Sequence, residues 1–196
     1  MAIDTRPAVE VRKKLTPEDV AEMLKSGQID SHERWFELVN GELIDVPPSG
    51  PDHNWKMLNI AGPLNTFAHH AGGQAFGDGA GFMVGADHKQ LRSPDAAYLG
   101  PQRVLEPPLP TWVDGAPDLA VEVLSEDQYG EAYAAGKVPE YFAAGAQLVW
   151  LVDRRQQEVR VFTREANEVI IMRDDAVLTL EPIIQGFALR VADIFR

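Results

Sequence analysis

Two carboxylates in this sequence stand where carboxylates are costly. Glu122 lies within Asp118-Leu119-Ala120-Val121-Glu122-Val123-Leu124, a nearly continuous apolar run of the kind that forms a central strand buried on both faces. A lone carboxylate there is strongly unfavourable unless it is paired, protonated or bound to a metal. Asp95 opens a second apolar segment, Ser93-Pro94-Asp95-Ala96-Ala97-Tyr98-Leu99, directly after a proline. On neighbouring strands the two acids would form a hard-oxygen site of the kind that magnesium or manganese prefers. Plainer readings stay open at this point: an ion pair between Glu122 and an arginine, and a turn or cap role for Asp95. Lys137 falls on the helical segment immediately after the Glu122 strand, and by residue type alone it reads as a solvated surface lysine. The chain has no cysteine, so any metal must be held by oxygen or imidazole. His69, His70 and His88 show no ligand spacing.

The elements that would position these groups are legible in outline. Thr16-Pro17-Glu18-Asp19 is a helix start, with Thr as N-cap, Pro in the first turn and acids behind it, and Gly27 closes that helix. Segments 35–39 and 42–46 flank Asn40-Gly41, the pair that suits a type I′ hairpin turn. After the loop of Pro47, Pro48, Gly50 and Pro51, a helix is expected from His53 to His70, kinked at Pro63. Strands follow near 74–77, 81–84 and 93–99, then a proline-rich surface loop over 100–117. The Glu122 strand, a helix over about 131–144 with a kink or restart at Pro139, and a buried strand at 147–152 make a crossover unit. Strand-like segments at 158–163, 168–172 and 176–180 and a short helix at 191–195 complete the chain. The expected class is α/β, mixed with α+β character: a curved mixed sheet flanked by helices.

Length and composition narrow the possibilities. The 196 residues suit a poorly ordered arm at 1–15 and a single domain over 16–196. With 45% hydrophobic and 24% charged residues the chain is an ordinary globular one, and no apolar run is long enough to span a bilayer. The opening MAIDTRPAVEVRKKL lacks the apolar stretch of a signal peptide, so a cytoplasmic location is expected. The net charge of −12, with basic residues scattered rather than clustered, argues against tight non-specific binding to DNA by a monomer. Bound divalent cations or a dimer would alter the local field.

Several segments together carry a resemblance: GFMVGADHKQLRSPDAAYLG, PDLAVEVLS and GKVPEYFAAGAQLVWLVD, preceded by FELVNGELIDVPPSGPDHN and closed by GFALRVADIF. In order and spacing, over about residues 16–196, they resemble the Uma branch of the PD-(D/E)xK nuclease superfamily, a family of restriction-endonuclease-like proteins. The resemblance implies that core fold, a divalent cation (Mg2+ or Mn2+) and a nucleic acid substrate. It implies that Asp95 and Glu122 bind the cation with help from the Val123 carbonyl. The lysine of the superfamily pattern would stand two residues after Glu122, where this chain has Leu124. In the resembled branch it is borne by the following helix, and Lys137 occupies the matching position, where it would orient or activate the attacking water. The opening motif implies a further acid near the metal at Glu42 and places His53 toward the site. For both, a purely structural role is an equal alternative.

The reading that follows is a metal-dependent endonuclease or phosphodiesterase cleaving DNA. Its rivals are a noncatalytic binding or regulatory protein that keeps the fold, and a hydrolase of RNA or small nucleotides. A homodimer is expected from the apolar strands at 158–163 and 168–172, because uncovered sheet edges favour pairing.

Overall fold

The computed structural model describes residues 14–29, 35–125, 128–166 and 168–196; for residues 128–131 and 133 it describes the backbone alone. The arm expected over residues 1–15 lies outside that range except for its last two residues, and Leu15 donates its N–H to the Gly41 carbonyl. Helix α1 (Pro17–Lys25) begins at Thr16, whose hydroxyl accepts from the Asp19 N–H while the Asp19 carboxylate accepts from the Thr16 N–H. That reciprocal capping satisfies two N-terminal donors.

Strands β1 (Phe36–Val39) and β2 (Glu42–Asp45) form the expected hairpin, with Asn40 and Gly41 both at positive φ as a type I′ turn requires. Helix α2 (Pro51–Ala71) starts two residues earlier than expected, because Pro51 takes the first helical position after Gly50. It continues through Pro63 as one element. Strands β3 (Gln74–Gly77), β4 (Phe82–Val84), β5 (Gln90–Arg92) and β6 (Ala96–Leu99) follow. The strand expected over 93–99 is shorter, since Pro94 cannot donate to a ladder, and β5 was not anticipated. The expected loop over 100–117 also contains a 3-10 turn (Pro101–Arg103) and a two-residue strand, β7 (Val113–Asp114).

The remaining elements are β8 (Leu119–Val123), α3 (Gln128–Ala143), β9 (Leu148–Asp153), β10 (Glu158–Thr163), β11 (Ile170–Arg173), β12 (Val177–Leu178), β13 (Leu189–Arg190) and α4 (Val191–Ile194). Helix α3 runs through Pro139 without a restart. One sheet has the order β2-β1-β5-β4-β7, a second the order β11-β10-β9-β8-β6-β3, and β12 pairs with β13 alone. Strands β8 and β9 are parallel and joined by α3, as a parallel pair requires. The chain passes from the first sheet to the second between β5 and β6, through Ser93-Pro94-Asp95.

Strand β8 is buried on both faces, which is why its sequence is almost unbroken apolar. Leu119, Val121 and Val123 pack with Met57, Ile60 and Leu64 of α2. Ala120 and Leu124 pack on the other face with Ala134, Val138 and Tyr141 of α3. One expectation about the surface is corrected here: β10 is not an edge, since it lies between β9 and β11. The exposed apolar edge is β11, where Ile170 and Ile171 face solvent.

Asp118, buried just before β8, joins three segments. Its carboxylate accepts from the Gly100 N–H at 2.8 Å, from Arg103 at 3.1 Å and from Gln147 at 3.3 Å. Asp118→Ala would leave the buried Gly100 N–H without its acceptor and the Arg103 guanidinium with only the Ala116 carbonyl, at a cost of about 1–3 kcal/mol. The expected result in a thermal melt is a loss of several degrees, at roughly 2–4 °C per kcal/mol for a domain of this size. An unchanged melting temperature would show that the carboxylate does not tie these segments together.

Candidate active site

Antiparallel register places the two acids together. Ala96 pairs with Val121 and Ala97 with Ala120, so continuing the register by one residue sets Asp95 opposite Glu122. Side chains alternate along a strand, and Asp95 and Glu122 therefore share the face that β8 turns toward α3. Asp95 stands at the crossing between sheets, and its Oδ2 accepts the Val123 N–H at 2.6 Å. Glu122, only 5% exposed, accepts from Lys137 Nζ at 2.9 Å on one oxygen and from the Tyr141 hydroxyl at 2.5 Å on the other.

Lys137 is 6% exposed, not a surface lysine. Its ammonium bridges Glu122 and Glu37, each at 2.9 Å. Glu37 comes from β1 in the other sheet and is held by Arg92 at 2.8 Å. Arg92 in turn makes a bidentate pair with Glu140 of α3, at 2.7 and 2.9 Å. The arginine in the centre thus serves Glu37 and Glu140, while Glu122 accepts from a lysine and a tyrosine.

His53, on the same face of α2 as Met57, points its Nε2 at the Val123 carbonyl, 2.9 Å away, and at Asp95 Oδ2, 3.4 Å away. Its Nδ1 is buried without a hydrogen-bond partner. The other residue of the opening motif is placed elsewhere: Glu42 is exposed at the start of β2 and is not among the residues lining the cleft. The cleft itself is about 530 Å³ and is floored by Asp95, Glu122, Val123 and Lys137, with the β1–β2 hairpin as one wall.

Electrostatics follow from burial and crowding. Burial raises the Glu122 carboxyl from 4.5 to about 7; the Lys137 charge opposes this, and the charges of Asp95 and Glu37 add to it. For Lys137 burial disfavours the ammonium, but the two carboxylates outweigh it and hold its pKa above the ordinary value. Burial likewise disfavours charge on His53, and the Asp95 hydrogen bond and charge overcome it, so the imidazole titrates above its usual range. Asp78, at the cleft rim, is raised by partial burial and then by the charge of Asp95.

This centre draws positive charge, and its donors suit a hard cation. Asp95, Glu122 and the Val123 carbonyl offer oxygens, and each carboxylate oxygen that accepts one hydrogen bond keeps lone-pair capacity. The placement of His53 supports the fit, because a partly positive N–H lies between the Val123 carbonyl and Asp95. Among the described residues, no group of three or more His, Asp or Glu side chains is arranged for a metal, so the backbone carbonyl would have to complete the set.

Sequence reasoning did not single out Glu37, Arg92, Glu140 or Tyr141. Tyr141 had a signal, since it lies four residues after Lys137 and therefore on the same helix face. Glu37 carried the same signal as Glu122, an acid between apolar strand residues. In a hairpin, however, alternation makes such an acid read as solvent-facing.

Comparison with known proteins agrees with the fold. The fold is a restriction-endonuclease-like one of mixed α+β architecture, with curved mixed sheets flanked by helices. The chain belongs to the Uma2 family, described as "Putative restriction endonuclease", whose model matches residues 18–192. Its structure is similar to the crystal structure of a protein from Anabaena variabilis described as a putative nuclease belonging to DUF820. The two share 19% identity and a TM-score of 0.77 over 92% of this chain and 97% of that one, a likeness of fold. No curated protein matches the chain.

The raised Glu122 pKa has a consequence for the metal-free protein. Between about 4.5 and 7 the folded state binds more protons at Glu122 than the unfolded state does. The stability this group contributes is fully present below that window and is lost as pH rises through about 7. Glu122→Gln removes the titration while keeping the volume. In chelator-treated samples, wild type should lose melting temperature relative to Glu122→Gln between pH 5 and pH 8. Parallel pH profiles for the two proteins would show that Glu122 is not proton-linked to folding.

Proposed function

We propose that this protein is a metal-dependent phosphodiesterase that cleaves nucleic acid, with Asp95, Glu122 and the Val123 carbonyl holding Mg2+ or Mn2+. The observation that carries the reading is Lys137: a buried ammonium placed 2.9 Å from a carboxylate that opposes a second acid across a strand pair, at the floor of an open cleft. A solely structural role for Lys137 would favour a closed position, whereas this one lines the cavity.

The bound cation would polarise the scissile phosphate and acidify a coordinated water. The chain's residues do the rest. Lys137 is kept protonated by Glu122 and Glu37, so it serves as a fixed donor that orients the attacking water and offsets negative charge building on the phosphate. Tyr141 and Lys137 each donate to one oxygen of Glu122 and so fix the orientation of that carboxylate. The Val123 N–H does the same for Asp95. Glu37, Arg92 and Glu140 act through Lys137 by holding its surroundings in place.

Two measurements check this reading. A divalent ion that binds only the folded state adds about 2.7 kcal/mol at a hundredfold excess over its Kd. Saturating manganese should therefore raise the melting temperature by roughly 5–10 °C. Calcium should also raise it, and Glu122→Gln should lose most of the manganese shift. In a manganese-supplemented assay on plasmid, single-stranded DNA and RNA, wild type should cleave at least one substrate, while Glu122→Ala and Lys137→Met should not. A wild type with neither shift nor cleavage would favour a noncatalytic binding protein that keeps the fold.

A further inference from the structure

The cleft has a wall that the proposed chemistry does not use. Trp35 precedes β1, and its carbonyl accepts the Val46 N–H at 2.9 Å, which fixes its backbone at the open end of the hairpin. Its ring lines the cleft yet remains 49% exposed. The ring rests on Gly79, which has φ +95°; a Cβ at that position would come within 2.5 Å of Trp35 Cζ3, so a glycine is required there. The Gly79 N–H donates at 2.9 Å to the Ser93 hydroxyl, two residues before Asp95. The indole is thus held on a support tied to the same segment that carries the first acid.

The charge of the cleft limits what could bind there. Asp45 and Asp78 join Asp95, Glu122 and Glu37 along its lining. Among the described residues lining it the cations are Lys137 and Arg154, and Arg154 pairs with Asp52 at 2.8 Å and donates to the Leu124 carbonyl at 3.0 Å. With a chain charge of −12 as well, the described lining offers little side-chain neutralisation for the many phosphates of a duplex backbone. Stacking on an aromatic face can supply affinity instead, and it accepts any base. A base held in a duplex is not available for that contact until it is unpaired. The volume of about 530 Å³ falls within the ordinary range for small-ligand sites.

We propose that the site takes single-stranded nucleic acid, with one unpaired base stacked on Trp35 while its neighbouring phosphate reaches the acids. The proposal rests on the nuclease reading of this site and adds its substrate class. Paired duplex is disfavoured as the substrate, because its bases are hidden from Trp35 and it brings more phosphates to a cleft with few cations among its described residues.

The test is binding in calcium, measured by fluorescence anisotropy with labelled 12-residue single strands of DNA and RNA and with the corresponding DNA duplex. Single strands should bind at least tenfold more tightly than duplex, and the DNA and RNA arms identify which strand is preferred. Trp35→Leu keeps an apolar side chain without a stacking face and should weaken single-strand binding roughly 10- to 100-fold, the scale of one lost base–aromatic stack. Trp35→Phe should keep most of the affinity while losing the indole quenching that the bound strand causes in wild type. Trp55→Phe, on the solvent-exposed side of α2, should change neither. Duplex binding equal to or tighter than single-strand binding would overturn the proposal, as would full affinity in Trp35→Leu; either result leaves metal-dependent cleavage standing. Absence of binding to all three nucleic acids, together with absence of cleavage, would overturn the nuclease reading as well.

Discussion

The structure depends on one buried ammonium. Lys137 of α3 joins Glu122 in the second sheet to Glu37 in the first, and Arg92 extends the contact to Glu140. Burying one charge from water is expensive, and burying several is tolerated only when each finds partners of good geometry. Here three glutamates surround one lysine and one arginine, with Asp95 close enough to raise Glu122 further. The centre is therefore short of positive charge by construction. That shortage makes Lys137 hold its proton and keeps the His53 imidazole beside Asp95 above its usual range.

The same network explains why the two sheets meet where they do. Leu38 and Leu91 of the first sheet bury together with Val20 of α1, a small core of its own. The second sheet is packed on both faces by α2 and α3. Lys137 bridges the two sheets, and Arg92 ties the first sheet to α3, close to one of the points where the chain passes between sheets, at Asp95. An acid placed at such a crossing is positioned by both sheets. Small errors in their docking would misplace it.

Much of this was legible in the residues, for identifiable reasons. Glu122 was visible because an acid inside a two-sided apolar strand is anomalous, and Asp95 because a proline and an acid began the neighbouring apolar run. The hairpin and the first helix followed from Asn40-Gly41 and from Thr16-Pro17, whose local conformations need no distant partner. Strands β5 and β7 were not readable, since two- and three-residue strands have no period to detect and exist through pairing with β4. Glu37 and Arg92 were missed because their burial depends on docking between sheets. Glu42, suggested by family likeness, lies on the exposed part of the hairpin, while Glu37 of the same hairpin reaches the centre.

In the proposed site, Asp95, Glu122 and the Val123 carbonyl would form a single cation site beside Lys137. The most direct measurement is anomalous diffraction from crystals of the protein soaked in manganese. The account predicts one strong peak within coordination distance of both carboxylates and that carbonyl, absent in Glu122→Gln crystals treated in the same way. A peak elsewhere on the molecule, or one that survives in the variant, would contradict it.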